Sequence, residues 1–170
     1  MKNITKILSE EHQNILKVIN AIIDECEELK TGKKLNPDYF QKAIVFIKDY
    51  ADTFHHSKEE DILFKIMLEN ADGLHCNPIP VMLHEHDAGR EFVRGMEDGL
   101  KDENLEKLIE NAEGYCHLLN DHIYKEDNIL YPMAEDAISD EQKEIIIEKY
   151  AAVKSDHFTE EVLQNYLNSL

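Results

Sequence analysis

A ten-residue pattern rich in histidine and acidic side chains occurs twice in this chain. The first copy, HHSKEEDILF, begins at His55, and the second, HIYKEDNILY, begins at His122. Each copy places a carboxylate four residues after its first histidine, Glu59 in one copy and Glu126 in the other. Side chains four residues apart lie on the same face of a helix. Each copy can therefore present one imidazole nitrogen and one carboxylate oxygen to the same metal ion.

A Glu-His pair precedes each copy of the pattern. Glu11 and His12 precede the first copy, and Glu85 and His86 precede the second. The chain therefore carries a single histidine followed by His-x-x-x-Glu, and it carries this combination twice. Bundles of facing helices form dinuclear carboxylate sites from segments of this kind. The repeat predicts six metal ligands from four segments, namely His12, His55, Glu59, His86, His122 and Glu126.

The first copy offers a second pair with the same spacing, His56 and Glu60. Aligning the two copies at their shared lysine selects His55, because His55 then matches the histidine of the second copy. One residue further along a helix, His56 lies about 100° away around the axis. We interpret the pair of His56 and Glu60 as a neighbour of the ligands or as a solvated ion pair.

The remaining histidines have weaker claims to a metal. His84 lies two residues before His86, so the two cannot share a helix face. The repeated Glu-His pair selects His86, which leaves His84 peripheral or in a supplementary ligand role. His75, His117 and His157 have no counterpart in the repeat, and we interpret them as ordinary structural or surface residues.

The predicted ligands are nitrogen and oxygen donors without a thiolate, a set that suits iron, manganese or zinc. If Glu59 and Glu126 each bridge two ions, every metal has four protein donors. That number leaves room for a bridging oxygen atom and for a small external ligand. We expect two non-haem iron ions, with manganese and zinc as the other candidates.

The composition excludes several classes of protein. The 170 residues suffice for one domain with a sizeable core, and the net charge is −18. The scattered lysines and arginines form no basic stripe for nucleic acid. No apolar stretch approaches bilayer length, so we expect no membrane partner. The three cysteines are far apart and form no Cys-x-x-Cys motif, which favours unpaired thiols in the cytoplasm.

Helical periodicity dominates the chain, and strand signals are nearly absent. Helices are predicted over residues 5–30, 37–70, 79–99 and 102–132, from 139 onward, and in a short segment after 156. We expect a loop at residues 73–78 and a helix end or kink at Pro132. Short loops favour antiparallel neighbours, so the prediction is an all-α domain: an up-down-up-down four-helix bundle over about residues 5–135 and a helical extension over about residues 139–170.

The motifs resemble the hemerythrin-like (HHE) cation-binding domain family. The segments HHSKEEDILF, EHDAGRE and DHIYKEDNILYP, with the early EH, carry the resemblance over about residues 5–135. It implies a four-helix bundle that holds a non-haem di-iron centre, with the six residues above as ligands. It also implies reversible dioxygen binding, oxygen or redox sensing, nitric-oxide-related functions or iron handling.

The sequence departs from the oxygen-carrying members at one ligand position. Those members use a His-x-x-x-His pair on the third helix. In this chain, His86 is followed four residues later by Arg90. A guanidinium cannot ligate a metal, so one nitrogen ligand is missing. Arg90 is expected to form a surface ion pair with Asp87, Glu91 or Glu97, or else to contact Glu59 or Glu126.

These observations predict a cytoplasmic di-iron protein that binds or senses dioxygen or a related diatomic or peroxide ligand. The alternative is a di-iron enzyme acting on peroxide, nitric oxide or dioxygen, or an iron-handling protein. Members linked to repair of iron centres often carry a cysteine-containing segment ahead of the bundle. This sequence begins with the bundle, so repair is not the function we expect. The sequence assigns no catalytic residue and leaves the oligomeric state undetermined.

Overall fold

The computed structural model describes residues 3–70 and 76–170, and these residues form six helices and no strand. The predicted all-α class is confirmed. Residues 73–75 of the predicted loop at 73–78, His75 among them, lie outside the described residues. Within the described ranges, no helix has the length and apolar composition needed to cross a membrane.

Helix α1 runs from Thr5 to Lys30, the limits that its periodicity predicts. Gly32 follows with φ of +104°, a left-handed conformation that glycine adopts without steric cost. Its N–H donates to the carbonyl of Leu29, and the N–H of Lys33 donates to that of Glu28, each over 3.1 Å. This Schellman motif satisfies the last carbonyls of the helix and ends it.

Helix α2 is continuous from Pro37 to Glu69 but is not uniformly α-helical. Asn36 caps it, with its side chain accepting a hydrogen bond from the backbone of Asp38. Its segments are α-helical at Pro37–Phe46, π-helical at Ile47–His56 and Glu59–Leu63, and α-helical at Phe64–Glu69. π-Helical turns are rare and concentrate at functional sites.

Helix α4 repeats this feature in the second copy of the pattern. It is α-helical at Leu105–Lys125, π-helical at Glu126–Leu130 and α-helical at Tyr131–Ala137. The π segment occupies the same positions in the repeat as Glu59–Leu63 does in α2. Of the two alternatives predicted at Pro132, a helix end or a kink, the helix end is wrong, because the helix continues to Ala137. Pro132 follows directly after the π segment, where the regular α-helical hydrogen bonds are already interrupted, so its missing N–H does not end the helix.

Helix α3, Ile79–Lys101, packs closely against α4 near the turn that joins them. A Cβ atom added to Gly99 would lie 2.7 Å from the backbone nitrogen of Leu108. Asn104 then caps α4 by accepting a hydrogen bond of 3.0 Å from the backbone of Lys107. The contacts also join α1 to α2 and α4, and α2 to α3.

Two further helices follow the first four. Helix α5, Asp140–Ala152, begins with a capping box of Ser139 and Gln142, where the sequence predicts a helix from residue 139 onward, and helix α6 spans Glu160–Leu167. The intervening turn is tied to α2 because Asp49 accepts hydrogen bonds from it.

The apolar side chains form two cores with a buried polar layer between them. Along α1, Leu8 belongs to one core, Ile15 to the other, and the buried His12 lies between them. Along α2, Ala51 and Ile62 belong to different cores in the same way. The polar layer between the cores contains the histidines and carboxylates of the repeated pattern.

Candidate metal centre

The six predicted ligands lie together in the interior, each at most 2% exposed. They form two overlapping groups, in each of which the possible donor atoms lie within 4.8 Å of one another. Position A comprises His12, His55, Glu59 and Glu126, and position B comprises His56, Glu59, His86 and His122. The structure therefore brings together the residues that the repeat selects and adds His56. That these residues bind metal stays a prediction.

Glu59 lies between the two positions. Its Oε2 atom is 3.7 Å from Nε2 of His55, in position A, and 3.6 Å from Nε2 of His86, in position B. Its Oε1 atom accepts a hydrogen bond of 2.6 Å from the hydroxyl of Tyr131. That hydroxyl also lies 3.2 Å from Nε2 of His12. The repeat does not mark Tyr131 as a ligand, and the contact of its hydroxyl with the centre comes from the structure.

Glu126 has the matching placement on α4. Its Oε2 atom lies 3.2 Å from Nε2 of His12, and its Oε1 atom lies 3.1 Å from Nε2 of His122. Like Glu59, it faces one histidine of each position. Both carboxylates can therefore bridge two ions.

Several atoms of this centre are buried without a hydrogen-bond partner in the described part of the chain. They are His55 Nε2, Glu59 Oε2, Glu126 Oε1 and Glu126 Oε2. A buried polar atom without a partner is costly, and such atoms are rare in folded proteins. These four atoms face one another, and all of them are metal-ligand types. The donor set fits a pair of cations.

The two central carboxylates differ in their affinity for protons. Burial and the nearby charge of Glu126 raise the pKa of Glu59 well above its ordinary value. Burial also opposes ionisation of Glu126, but His122 and His12 outweigh it and hold the pKa of Glu126 well below its ordinary value. Without a cation, the centre favours one charged and one protonated carboxylate. A metal ion would stabilise both in the charged form.

The predicted histidine ligands are each anchored through the other ring nitrogen. Nδ1 donates a hydrogen bond of 2.7–3.0 Å to a carboxylate in every case: His12 to Asp127, His55 to Glu11, His86 to Glu60 and His122 to Glu85. A carboxylate at Nδ1 fixes the tautomer and directs Nε2 to the centre. The four imidazoles therefore have the orientation that metal ligation requires, with Nε2 directed to the centre.

The shared lysine of the repeat supports two of these carboxylates. Lys58 donates to Glu11, and Lys125 donates to Glu85. Burial is the larger influence on Glu11 and raises its pKa, although Lys58 opposes that shift. The lysine at this position of the pattern thus holds the carboxylate that in turn anchors a predicted histidine ligand.

The imidazoles of position A differ in charge although their ring centres are 4.7 Å apart. Burial lowers the pKa of His12, but Asp127 and Glu126 together outweigh it and raise the pKa to about 9. Burial and the charge of His12 hold the pKa of His55 well below its ordinary value. His12 would have to lose a proton before it could ligate, so metal uptake at position A would be coupled to proton release.

Sequence reasoning did not select His56, which the structure places in position B. Its side chain is 9% exposed, and its ring stacks on that of His86 with centres 3.8 Å apart. The alignment selected one histidine per helix, whereas α2 supplies a histidine to each group. His55 lies in position A and His56 in position B, and Glu59 belongs to both.

The histidines interpreted as peripheral belong to neither group. His84, His117 and His157 are exposed. Among the described residues, no group of possible metal ligands includes them. Cys26 and Cys116 are buried, Cys76 is exposed, and none of the three belongs to either position.

Arg90 contacts one carboxylate that the sequence analysis names and two that it does not. It donates to Asp87 over 2.9 Å, one of the expected surface partners. It also donates to Asp52 over 2.7 Å and to Glu60 over 2.8 Å. None of these hydrogen bonds goes to Glu59 or Glu126.

A cavity of about 370 Å³ opens beside position B. Its walls include the three imidazoles of that position together with Arg90 and Gly89. The helices α2, α3 and α4 all contribute to it. The cavity gives a small molecule access to this side of the centre.

The fold and the site define a helical protein whose buried histidines and carboxylates could hold metal ions. Residues 3–134 match the family described as the hemerythrin HHE cation binding domain. The chain belongs to this family, and the resemblance noted from its motifs is confirmed.

A curated relative is the iron-sulfur cluster repair protein YtfE of Edwardsiella ictaluri. It is 32% identical over 132 residues, which cover 72% of this chain and 59% of the relative. This chain therefore spans less than two thirds of that protein. No solved structure matches the chain.

Proposed function

We propose that this protein is a di-iron protein that binds or senses dioxygen or a related small ligand. The residues of position A would hold one iron and those of position B the other, with Glu59 and Glu126 as ligands available to both. The observation that carries the proposal is the set of unpartnered oxygens at the centre. Three of the four oxygens of these two carboxylates are buried without a hydrogen-bond partner in the described residues.

The proposal includes the topology that the sequence predicts, an up-down-up-down bundle of α1 to α4. Each of these helices supplies at least one predicted ligand to the centre. The contacts of α1 with α2 and α4, and of α3 with α2 and α4, support four helices packed around a common centre. Metal ligands projecting inward from facing helices are the usual construction of such centres.

The donor types support iron over softer metals. Imidazole and carboxylate suit iron, manganese and zinc, and the three cysteines lie outside both positions. The family is a cation-binding one, which agrees with a resident metal. When bound, iron supplies the capacity to bind a small ligand and to change oxidation state.

The protein side chains provide the surroundings for that chemistry. The apolar cores cover the centre on two sides, and the cavity beside position B has room for a small molecule. The Tyr131 hydroxyl holds Glu59 by a hydrogen bond. Together these features support a small neutral ligand such as dioxygen or nitric oxide.

We further propose that the protein acts in the cytoplasm without nucleic acid or membrane partners. The free cysteines and the net charge of −18 support this assignment. Polyanions are repelled by such a charge, and cations are attracted.

A second candidate function is iron handling during repair of iron-sulfur clusters. The name of the relative from Edwardsiella ictaluri favours it. Such a function requires that iron leave the centre for an acceptor protein. A sensor or carrier requires that iron remain bound while the small ligand exchanges.

The test begins with metal analysis and visible spectra of the purified protein. We expect about two irons per chain and an absorption that changes on reduction and again on exposure to dioxygen or nitric oxide. The double variant Glu59→Gln, Glu126→Gln serves as a control that lacks the charged bridges. A metal-replete wild type with one ion, or a spectrum that no treatment changes, would contradict the proposal.

A second experiment separates the two candidate functions. The iron-loaded protein is mixed with an iron-sulfur protein whose cluster has been damaged, and the cluster absorption is followed. Recovery of the cluster with stoichiometric loss of iron from this protein supports repair. Retention of iron together with reversible ligand binding supports the sensor or carrier.

A further inference from the structure

We propose that His56 is a fifth imidazole ligand, so that the two metal positions differ: position B has three imidazoles and position A has two. This inference rests on the proposed function, because it requires both positions to bind metal. Asp52 and Arg90 are its positioning residues. They act on the centre through His56 and His86 without contacting a metal.

His56 has the same anchoring as the four histidines that the repeat selects. Its Nδ1 atom lies 3.2 Å from Oδ1 of Asp52. With Nδ1 directed to this carboxylate, Nε2 is the atom left for position B, where His56 joins Glu59, His86 and His122. A surface histidine paired with a carboxylate would be exposed, whereas the side chain of His56 is 9% exposed.

Arg90 joins the anchors of two neighbouring imidazoles. Its guanidinium donates to Asp52 from Nε over 3.0 Å and from Nη2 over 2.7 Å. Nη2 also donates to Oε1 of Glu60, the carboxylate that accepts from Nδ1 of His86. One planar, permanently charged group thus fixes both carboxylates. This arrangement accounts for an arginine on the helix face that carries His86.

The repeat shows that this feature belongs to one half of the centre only. Aligning His55 with His122 places Ile123 opposite His56 and Leu119 opposite Asp52. Aligning His12 with His86 places Leu16 opposite Arg90. All three counterparts are apolar, so the imidazole, its anchor and the arginine occur together or are absent together.

Position A differs from position B in a second respect. The repeat places Phe64 opposite Tyr131. Phe64 stacks on His86 with ring centres 6.1 Å apart, and Tyr131 stacks on His12 with centres 5.4 Å apart. Only the tyrosine carries a hydroxyl, which donates to Glu59. Position A therefore has a hydroxyl near its ligands, while position B has an additional imidazole.

The experiment uses metal-free protein titrated with Co²⁺ alone, followed by visible absorption and by competition with a chelator. We expect the wild type to bind two Co²⁺ in distinguishable steps, because the positions differ in imidazole number. His56→Ala should weaken one step at least tenfold and change its absorption bands. His55→Ala should weaken the other step. His84→Ala, which replaces an exposed histidine that belongs to neither position, is the control and should leave both steps unchanged.

A second pair of variants tests the positioning residues and remains informative if His56→Ala does not fold. Asp52→Asn should weaken the same step as His56→Ala by about 10–100-fold, the usual effect of losing a group that orients a ligand. Asp52→Glu should restore part of the affinity and the absorption bands. Asp87→Asn removes another partner of Arg90 that anchors no imidazole, and it should change neither step.

The outcomes separate this inference from the proposed function. Two steps in the wild type that are both unchanged in His56→Ala and Asp52→Asn would overturn the inference and leave the two-metal centre intact. Fewer than two Co²⁺ bound by the wild type would overturn the proposed two-metal function and this inference with it. Loss of thermal stability in the metal-free variants without a change in either step would show that His56 is a structural residue only.

Discussion

The carboxylate of Glu11 accepts a hydrogen bond from Nδ1 of His55, 2.9 Å away on another helix, although its neighbour in the chain is His12. Glu85 is related in the same way to His122, over 2.8 Å. Each Glu-His pair therefore serves two histidines: its own imidazole faces the centre, and its carboxylate anchors the imidazole of the facing helix. The short motif encodes a contact between helices.

Replacing this anchor should weaken metal binding. We expect Glu11→Gln and Glu85→Gln each to lower metal affinity by about 10–100-fold, because the imidazole loses a charged partner that raises its basicity. Chelator competition on the folded proteins measures the change. Glu10→Gln is the control, since Glu10 is exposed and pairs only loosely with Lys6, at 3.6 Å. Affinities equal to those of the control would show that the Glu11 contact is incidental.

The two lysines of the repeat should differ in their effect on stability. The side chain of Lys58 is 3% exposed and that of Lys125 is 33% exposed, although each donates to the corresponding glutamate. Removing one partner of a buried pair costs about 3–5 kcal/mol, whereas an exposed pair contributes about 1 kcal/mol or less. Chemical unfolding of Lys58→Ala and Lys125→Ala in metal-free form measures the difference. Equal losses would contradict this account of burial.

The close contact of α3 with α4 predicts opposite behaviour for two glycines. A Cβ atom on Gly99 would lie 2.7 Å from the backbone nitrogen of Leu108, so we expect Gly99→Ala to destabilise the fold by about 1–3 kcal/mol. A Cβ atom on Gly89 would lie 3.6 Å from Cε2 of Tyr115, an ordinary contact. Gly89→Ala should therefore be neutral or stabilise the helix by up to about 1 kcal/mol. Thermal or urea unfolding decides, and a stable Gly99→Ala protein would refute the contact.

The turn before α6 should stabilise the fold in a pH-dependent way. Burial opposes ionisation of Asp49, but hydrogen bonds from Ser155, His157 and Asp156 outweigh it and hold the pKa of Asp49 below its ordinary value of 3.8. A carboxylate with a lowered pKa stabilises the folded state above the unfolded value, and this contribution is lost as pH falls through the folded value.

We therefore expect Asp49→Asn to lower the free energy of unfolding by about 1.5–3 kcal/mol at neutral pH, the usual contribution of charged hydrogen bonds. The difference from wild type should shrink as pH falls below about 4. Urea unfolding of the metal-free proteins at several pH values measures both effects. The exposed Asp136→Asn is the control. A difference that stays constant down to acidic pH would contradict the role of the ionised carboxylate.

Metal removal should lower the stability of the whole domain. The centre draws its ligands from four helices, so it scarcely exists in the unfolded chain, and binding to the native state alone raises stability. Free metal at about 100 times its dissociation constant contributes about 3 kcal/mol. Melting curves of the metal-free and metal-loaded proteins at equal concentration test this. Coincident curves would argue against a site shared across the helices.

The sequence by itself determined the elements and the residues that meet at the centre. The limits of α1 at Thr5 and Lys30 and the cap at Ser139 were predictable because periodicity and capping are local properties. The six candidate ligands were predictable because the repeat marks corresponding positions in both halves. Helical spacing then places a histidine and a carboxylate on one face, whatever the neighbouring helices do.

The tertiary structure decided which groups contact one another across helices. The pairing of Glu11 with His55 depends on the distance between α1 and α2, and no spacing along the chain encodes that distance. The continuation of α4 past Pro132 depends on a π-helical turn, whereas sequence reasoning assumed α-helical geometry. His56 was interpreted as a neighbour of the ligands or as part of a solvated ion pair, because one histidine per helix satisfies the repeat. Its burial in position B follows from helices packing on both sides of α2, and this arrangement exists only in the folded protein.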